Sequence, residues 1–453
     1  MIGELGARLG HIVVPPPGPR SRQLTEELHK YEQRNITFVS KDFPIFLAEA
    51  AGANVVDVDG NVYVDLSGFF GVSAVGHSNP EVARAVGAQA RQIFHGMGDV
   101  YPTENKVALA KKLCELTPGS GPKRVIFAST GSEAIEAALK TAAIATGRPG
   151  VICFTGAYHG LGYGALCVTD REIFKQPFRA QLGTFSRRAP YPNCYRCPLG
   201  LRYPSCEVAC LDAVREILDG EGGDDIGAII VEPVQGRGGE VPAPERWLVD
   251  LRRLCDERGL LLIFDEIFCG FGRTGRWFAS EHAGVVPDII CVGKGLSSGF
   301  PLAACIGRAD VMDRWPPSAG EAIHTGTFLG QPTGCAAALA SIAEIGALDL
   351  VERTARRETM MRALLQRLQK ESNGKIGDVR GRGLMWGLEI VDEQGVEDTV
   401  RAGAAMVGAL RSGVIVLTSG PHCNVVAISP PLVITDEQLQ FAIDVVSQAI
   451  ARA

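Results

Sequence analysis

Two short apolar runs, at residues 260–264 and 288–292, constrain this chain more than any other feature of its sequence. Their length and β-branched content are typical of buried strands in a parallel sheet. Asp265 follows the first run and Lys294 comes two residues after the second. Ligands of open α/β sheets bind outside the carboxyl ends of the strands, so we expect this carboxylate and this amine to face one crevice.

An acid and a lysine placed in this way suit pyridoxal 5'-phosphate. The lysine would form a Schiff base with the aldehyde of the cofactor, and the acid would keep the pyridine nitrogen protonated so that the ring accepts electrons. On these two residues alone, a buried salt bridge or two unrelated strand ends explain the pattern equally well. The motifs in the rest of the chain decide between these interpretations.

The composition argues against several classes of protein. A chain of 453 residues with 46% hydrophobic and 21% charged residues has the size and balance of a soluble protein of two or three domains. A net charge of −6 and no apolar run of membrane-spanning length favour neither nucleic acid nor membrane as a partner. The N-terminus lacks a signal-peptide pattern, and thirteen cysteines, mostly in apolar runs, favour reduced thiols in a cytoplasm.

The first part of the chain predicts an arm, a hairpin and two helices. Residues 1–22 contain Pro15-Pro16-Pro17 and predict an extended arm that either packs on a partner subunit or is mobile. Valines at 56, 58, 62 and 64 flank Asp59-Gly60-Asn61, which predicts a β-hairpin. Helical spacing predicts helices at 81–95 and 104–116, with Thr103 as the cap of the second.

From residue 124 onwards, strand and helix patterns alternate. Strands are predicted at 125–128, 150–154 and 227–231, and helices at 132–146 and 245–258, which together indicate an α/β protein with a mostly parallel central sheet. Near the C-terminus, a strand is predicted at 383–390 and a final helix after the capping box Thr435–Gln438. We predict an N-terminal arm with part of a small domain at 1–75, a large cofactor-binding domain at 76–335, and a C-terminal small domain at 336–453.

Two loops after predicted strands carry further candidate site residues. Small residues at the start of helix 132–146 would let backbone N–H groups bind an anion, so Ser129, Thr130, Gly131 and Ser132 are candidate phosphate ligands. The alternative is a tight turn capped by Ser and Thr. Tyr158, in the triplet Tyr158-His159-Gly160, could stack on a flat heteroaromatic ring, although a lone tyrosine is more often part of a core.

Six motifs in this order resemble those of a known family. They are STGSEAIEAALK from Ser129, Tyr158-His159-Gly160, Glu232–Gly236, Asp265-Glu266-Ile267 with Gly270–Gly275, Gly293–Leu296 and Thr325–Phe328. The chain is similar, from about residue 40 to its end, to class III (subgroup II) pyridoxal-phosphate aminotransferases, which include 4-aminobutyrate, ornithine and other ω-amino acid transaminases. The resemblance implies fold type I: a large domain with helices flanking the sheet, and a smaller α+β domain built from the N- and C-terminal segments.

The resemblance also implies a role for each matching residue. Lys294 would be the Schiff-base lysine and general base, and Asp265 would pair with the pyridine nitrogen. Tyr158 and Ile267 would cover the two ring faces. Glu232 would order the hydrogen bonds behind Asp265, and His159 is a further candidate cofactor-binding residue. Thr327 would reach the phosphate of the neighbouring subunit's cofactor, so the protein would be a homodimer with shared active sites, or a tetramer built from such dimers.

The sequence departs from the family pattern at a pair of charged residues. Transaminases of this family often carry a glutamate after Pro-x-Gln-Gly and an arginine shortly before a C-terminal Pro-Leu pair, and the two form a substrate switch. Here the corresponding residues are Arg237 and Ala427. Arg237 is a candidate ligand of a substrate carboxylate, although it could instead turn to solvent, and Phe70 is a second candidate substrate-binding residue.

Four cysteines form a second departure from the family pattern. Cys194, Cys197, Cys206 and Cys210 have the spacing C-x2-C-x8-C-x3-C within a loop rich in Pro and Tyr. Four thiols could hold tetrahedral zinc, but the short middle interval favours free thiols, so we predict no metal site.

We therefore predict a cytoplasmic, homodimeric pyridoxal-phosphate enzyme that transfers an amino group from an ω-amino acid or amine to a keto acid by a ping-pong mechanism. An amino-acid racemase or epimerase on the same fold is the alternative, because it needs no keto acid and would not need the missing switch. A phospho-lyase and a non-catalytic binding protein are weaker alternatives, the latter because Lys294, Asp265 and Thr327 are all present.

Overall fold

The computed structural model describes residues 5–453. Its strands, in chain order, are β1 Leu47–Ala51, β2 Asn54–Asp57, β3 Val62–Asp65, β4 Lys123–Ala128, β5 Gly150–Phe154, β6 Ser186–Ala189, β7 Ile226–Val231, β8 Val234–Gln235, β9 Val241–Pro242, β10 Leu261–Asp265, β11 Ile289–Val292, β12 Ala303–Arg308, β13 Ile376–Arg382, β14 Met385–Ile390, β15 Val414–Ile415, β16 Leu417–Ser419 and β17 Val425–Ile428.

The α-helices, in chain order, are α1 Pro19–Tyr31, α2 Gly68–Gly71, α3 Pro80–Gln92, α4 Glu104–Leu116, α5 Gly131–Thr146, α6 Tyr163–Val168, α7 Glu172–Lys175, α8 Asp212–Asp219, α9 Glu245–Arg258, α10 Ala309–Met312, α11 Pro332–Ala347, α12 Leu350–Glu371, α13 Thr399–Arg411 and α14 Asp436–Arg452. No single helix of residues 5–453 combines the length and the apolar composition needed to cross a membrane. Helices α11 and α12 meet both criteria only as a pair that is bent by 58°.

A seven-stranded sheet in the order β4-β12-β11-β10-β7-β5-β6 forms the centre of the molecule. Strand β12 runs antiparallel to both of its neighbours, and the other pairs in the sheet are parallel. The prediction of a mostly parallel sheet is therefore confirmed. Residues of β10 alternate between two covering layers: Ile263 packs in the cluster with helix α5, and Leu262 and Phe264 pack in the cluster with helix α9. Burial on both faces explains why this strand is a continuous apolar run.

Two smaller four-stranded sheets combine elements from both ends of the chain. One has the order β1-β2-β3-β15, so that the predicted hairpin β2–β3 pairs with a strand near the C-terminus, and the other has the order β13-β14-β17-β16. Helix α11 spans the predicted domain boundary at 335/336. The division at that residue stays a prediction, since a continuous helix joins the two parts.

The predicted element boundaries agree with the structure at some places and differ at others. Strand 150–154 and helices 104–116 and 245–258 have the predicted bounds. The predicted capping box is present, and the C-terminal helix begins within it, at Asp436. The helix predicted at 81–95 ends at Gln92 because the next residue, Ile93, is extended. Thr103 occupies the predicted cap position of α4, which confirms the position. Its side chain accepts no hydrogen bond from the helix, so the expected capping hydrogen bond is not formed.

The N-terminal arm differs from its prediction. Helix α1 begins at Pro19, inside the predicted extended segment, with proline in the first turn where its missing N–H is not needed. Before that helix, the backbone N–H groups of Val13 and Val14 both donate to Asn61 Oδ1 at 2.9 Å. This part of the arm therefore packs on its own chain, while residues 1–4 of the prediction lie outside the described residues.

Candidate active site

The two residues that define the candidate site lie at the carboxyl ends of neighbouring strands. Asp265 ends β10, Lys294 follows β11 after one glycine, and these two strands are parallel. Both residues line one cleft with a cavity volume of about 370 Å³. The expectation that they face one crevice is confirmed. The lining comprises Thr130, Gly131, Ser132, Tyr158, His159, Gly160, Leu161, Gly162, Glu232, Arg237, Asp265, Ile267, Phe268 and Lys294.

Asp265 is held in place by two hydrogen-bonding neighbours. Its Oδ2 lies 2.7 Å from Nδ1 of His159, and its Oδ1 accepts a hydrogen bond from the backbone N–H of Ile267 at 3.0 Å. Burial opposes protonation of His159, but the hydrogen bond and the charge of Asp265 outweigh it, so the pKa of His159 is raised. His159 and the Ile267 amide thus fix the position of the Asp265 carboxyl group, and His159 and Asp265 are each at most 4% exposed.

Lys294 projects into the same cleft, where it forms no ion pair with a carboxylate of residues 5–453. Its backbone lies in the left-handed region, with φ of 44°, which is unusual for a lysine. Its Nζ lies 3.9 Å from the centroid of the Phe268 ring. Asp265 pairs with His159 rather than with this amine. Burial lowers the pKa of Lys294 to about 8, against the opposing effect of the Asp265 charge, so that an unprotonated amine is accessible near neutral pH.

The N-terminus of helix α5 forms one end of the cleft. Thr130 caps the helix by accepting the backbone N–H of Glu133 at 3.2 Å, and Ser132 Oγ accepts that of Gly162 at 2.9 Å. A Cβ atom added to Gly160, whose φ is +124°, would come within 2.6 Å of Ser132, so glycine is needed where these two loops touch. Free N–H groups at a helix N-terminus favour an anion such as phosphate.

Ser129 and Thr327 do not reach this end of the cleft. The backbone N–H of Ser129 donates to Glu133 Oε2 at 2.7 Å, and Ser129 is not part of the cleft lining. Thr327 is exposed on the surface of this chain and is also outside the lining. Of the four predicted phosphate ligands, the structure brings Thr130, Gly131 and Ser132 into the cleft.

Glu232 holds the loops on two sides of the cleft together. Its Oε1 accepts the backbone N–H of Tyr158 at 3.0 Å, and its Oε2 accepts that of Gly236 at 3.0 Å. The pKa of Glu232 is raised to about 7, because burial, with a contribution from the Asp265 charge, outweighs the opposing effect of His159. A change at Glu232 would therefore loosen both the aromatic residue and the loop that leads to Arg237.

Arg237 stands between the cleft and a smaller inner pocket. Its guanidinium carbon lies 5.1 Å from the centroid of the Tyr158 ring and 5.5 Å from that of Phe70, and it forms no ion pair with a carboxylate within residues 5–453. Arg237, Phe70 and Ala427 all line the inner pocket. The two substituted switch residues thus face the same space.

Sequence reasoning missed several residues of the site. Phe268 contacts the amine of Lys294, and Gly160 and Gly162 pack on Ser132, yet their only sequence signal is their place in loops after strands. Glu240 lies at the inner pocket, where Ser419 Oγ donates to its carboxylate at 2.5 Å. Burial raises the pKa of Glu240 to about 8, so this carboxyl group is largely neutral at pH 7.

The residues of the cleft fit pyridoxal phosphate. They supply a helix N-terminus for the phosphate, an unpaired amine for the aldehyde and a braced carboxylate for the ring nitrogen. His159 Nε2 is buried and has no hydrogen-bond partner within the described residues, so the cleft also offers an unused polar atom beside Asp265. A cavity of about 370 Å³ falls in the size range of small-molecule sites.

Similarity to known proteins agrees with this geometry. Residues 37–450 match the family model described as Aminotransferase class-III. The chain belongs to the class-III aminotransferases. As a member of this family, the protein is a pyridoxal-phosphate-dependent transaminase.

Two relatives and one solved structure show how the class-III aminotransferase compares with its family. It is 37% identical over 450 residues to the 4-aminobutyrate aminotransferase of Mycobacterium leprae, with 97% of each chain covered. It is 38% identical over 415 residues to the leucine/methionine racemase of Thermococcus litoralis, with 90% of this chain and 91% of that protein covered. The amine transaminase from an uncultivated Pseudomonas species, solved in its PLP-bound form, superposes with a TM-score of 0.83 at 30% identity, over 93% of this chain and 98% of that one.

Proposed function

We propose that this aminotransferase moves an amino group from an ω-amino acid or amine to a keto acid by a ping-pong mechanism. The observation that carries the proposal is the unpaired amine of Lys294 in one cleft with the Asp265–His159 pair, with the free guanidinium of Arg237 at its inner end. The relative from Mycobacterium leprae, which is named for 4-aminobutyrate, supports this class of donor.

Residues of the cleft would hold the cofactor at three points. Thr130, Gly131 and Ser132 would bind its phosphate at the start of helix α5, and Asp265 would bind its ring nitrogen. Tyr158 and Ile267 would lie against the ring, because both line the cleft between these two anchor points. When bound, the cofactor supplies an aldehyde carbon that takes the substrate amine and a ring that accepts electrons from the substrate carbon.

Lys294 would attach to the aldehyde and, after release by the substrate amine, move the proton between the substrate carbon and the cofactor. A pKa of about 8 suits both tasks, since the amine is readily deprotonated yet remains a strong base. Nδ1–H of His159 donates to Asp265 Oδ2, so His159 would keep this carboxyl group oriented towards the ring nitrogen of a bound cofactor. Phe268 covers the Lys294 amine and helps to exclude water from it.

Arg237 would bind a carboxylate of the substrate. Its guanidinium stacks between the Phe70 and Tyr158 rings, which hold it in place without neutralising its charge. A planar guanidinium can pair with a carboxylate through two hydrogen bonds. Because Ala427 stands where related transaminases carry arginine, the inner pocket has one candidate carboxylate ligand instead of a switching pair.

A racemase of amino acids is the second candidate function. The exchange of both switch residues, Arg237 and Ala427, removes the pair associated with alternating substrates, and a racemase needs only one substrate. The similarity to the leucine/methionine racemase of Thermococcus litoralis supports it. Both functions would use Lys294 and Asp265, and they differ in whether the proton returns to the same carbon.

We further propose a homodimer in the cytoplasm. Thr327 lies in an exposed segment with the large apolar residues Ile323 and Phe328, and in a dimer it would reach the phosphate end of the partner's cleft. All thirteen cysteines are free thiols, which suits a reducing compartment.

One experiment separates the two functions. The purified enzyme is incubated with a panel of α-amino acids, ω-amino acids and simple amines, each with and without pyruvate or 2-oxoglutarate, while new amino acid, new keto product and optical rotation are followed. A transaminase forms more than about one equivalent of product per active site only when a keto acid is present, because the cofactor itself takes the first amino group. Loss of optical rotation from an L-amino acid without any keto acid would overturn the transaminase proposal in favour of the racemase.

A further inference from the structure

The loop between strand β6 and helix α8 brings four cysteines together. Cys194, Cys197, Cys206 and Cys210 fall within residues 194–210, and all four line a single cavity. The other walls are mostly apolar and include several prolines, and no lysine, arginine or histidine from the part of the chain that the structure describes lines the cavity. The turns of this loop therefore bring two pairs of thiols to one cavity, whereas an extended chain would hold the pairs apart.

Among the described residues, no charged side chain lines the cavity beside these thiols. All four thiols are unpaired, so no disulfide accounts for their grouping. A divalent cation is the partner that would deprotonate several grouped thiols at once, because it replaces mutual repulsion by attraction.

We propose that Cys194, Cys197, Cys206 and Cys210 bind one zinc ion in a tetrahedral site of four thiolates. Zinc is a borderline-soft ion with no preference against tetrahedral geometry, and two Cys pairs, the first spaced C-x2-C, are a common source of its ligands. This proposal replaces our prediction from the sequence that the four thiols bind no metal, because both pairs line one cavity.

The side chains must turn inward for zinc to bind. Within residues 5–453, no three His, Cys, Asp or Glu side chains are already arranged to hold a metal ion. Cys194 is exposed, Cys197 and Cys206 are half-buried, and residues 193–208 form turns without a regular helix or strand. The loop therefore carries no regular helix or strand that would resist rearrangement, and preformed metal sites are not required, because binding of the ion is coupled to folding.

The position of the loop suggests a structural role for the ion. Arg196, between the first two cysteines, donates from Nε to Glu389 Oε1 at 2.7 Å. Arg380 donates to the other oxygen of Glu389 at 2.6 Å and to the carbonyl oxygen of Gly239 at 2.8 Å. Gly239 belongs to the loop of Arg237. A zinc ion would therefore stabilise the position of Arg196, and through Glu389 and Arg380 the position of this loop.

Metal content tests the proposal directly. The wild-type holoenzyme and three variants are purified without chelator, and their metal content is measured by plasma mass spectrometry. Two variants, Cys197→Ser and Cys206→Ser, each remove one proposed ligand. The control, Cys114→Ser, changes a half-buried thiol on helix α4. We expect about one zinc per chain in the wild type and in Cys114→Ser, and a loss of most of it in the other two variants. Far-UV circular dichroism and the visible absorbance of the bound cofactor check that each variant folds.

A cobalt titration removes the dependence on any variant. Wild-type protein is stripped of metal under reducing conditions, its thiols are counted with Ellman's reagent, and Co²⁺ is added. Absorption bands of a tetrahedral cobalt–thiolate centre that saturate at about one ion per chain support the site. Three results would overturn it: no zinc together with no cobalt–thiolate bands, zinc retained by both cysteine variants, or iron with acid-labile sulfide in place of zinc. Each readout is independent of the reaction that the enzyme catalyses.

Discussion

His159 Nδ1 lies 2.7 Å from Asp265 Oδ2, and the two residues are 106 positions apart in the chain. The contact joins the loop after β5 to the end of β10, and it gives the buried carboxyl group of Asp265 a hydrogen-bond partner. Together with the amide of Ile267, it fixes the orientation of Asp265 before any cofactor binds. Pre-oriented charges of this kind stabilise a developing charge without further rearrangement.

Replacing the carboxylate tests that arrangement. We expect Asp265→Asn to fold and to bind the cofactor, because an amide has the same shape. Its kcat should fall by several powers of ten, since the loss of a buried charge beside the reacting group typically costs on the order of several kcal/mol. Single-turnover kinetics measure the effect, with the exposed Asp310→Asn as control. Activity within about tenfold of wild type would mean that another group holds the ring nitrogen.

Lys294 should carry the cofactor covalently. Treatment of the holoenzyme with borohydride should fix the cofactor to the peptide that contains Lys294, as a mass shift after tryptic digestion. Lys294→Ala should bind the cofactor without attachment and should not turn over, because the amine that moves the proton is gone. The exposed Lys111→Ala is the matched control. A colourless wild-type protein, or a mass shift on another lysine, would refute the assignment.

Cofactor attachment should depend on pH through the Lys294 amine. Burial lowers its pKa to about 8 in the cofactor-free protein, and only the unprotonated amine attacks an aldehyde. The rate of attachment should therefore rise about tenfold per pH unit below about pH 8 and level off above it. Stopped-flow absorbance of cofactor-free enzyme mixed with pyridoxal phosphate measures this rate. A rate that keeps rising to about pH 10 would indicate an ordinary lysine.

Arg237→Ala separates carboxylate recognition from catalysis. A charge-assisted hydrogen bond of about 1.5–3 kcal/mol implies a roughly ten- to hundredfold rise in KM for substrates with a carboxylate. Amines without a carboxylate should change much less, because the amine-handling residues are intact. Steady-state kinetics with matched amino acid and amine pairs measure the difference, and Arg84→Ala, an exposed arginine on α3, is the control. Equal effects on both substrate classes would place carboxylate recognition elsewhere.

Two threonines in cap positions should differ in their contribution to stability. Thr435 Oγ1 accepts the backbone N–H of Gln438 at 3.1 Å, whereas the Thr103 side chain accepts no hydrogen bond from its helix. Thr435→Ala should therefore destabilise the start of α14 by about 1 kcal/mol, and Thr103→Ala should have little effect on α4. Hydrogen exchange of the first-turn amides measures both. A similar loss of protection in the two variants would contradict this reading of the caps.

The sequence by itself determined the features that depend on neighbours in the chain. Strand and helix periodicity indicated the central sheet, and polar residues at strand ends located Asp265 and Lys294, because side-chain direction repeats with the period of each element. Motif order indicated the family, its cofactor and the residues of the phosphate end.

Only the tertiary structure decided which distant groups meet. The His159–Asp265 bond, the stacking of Arg237 between two rings and the single cavity shared by four cysteines depend on loop closures that packing fixes after the strands align. Even within one turn, the sequence could not tell Ser129, whose N–H is taken by Glu133, from the residues that face the cleft. The physical reason is that local preferences set the backbone, while a hydrogen bond or a charge contact requires an approach to within about 3 Å that only the assembled fold provides.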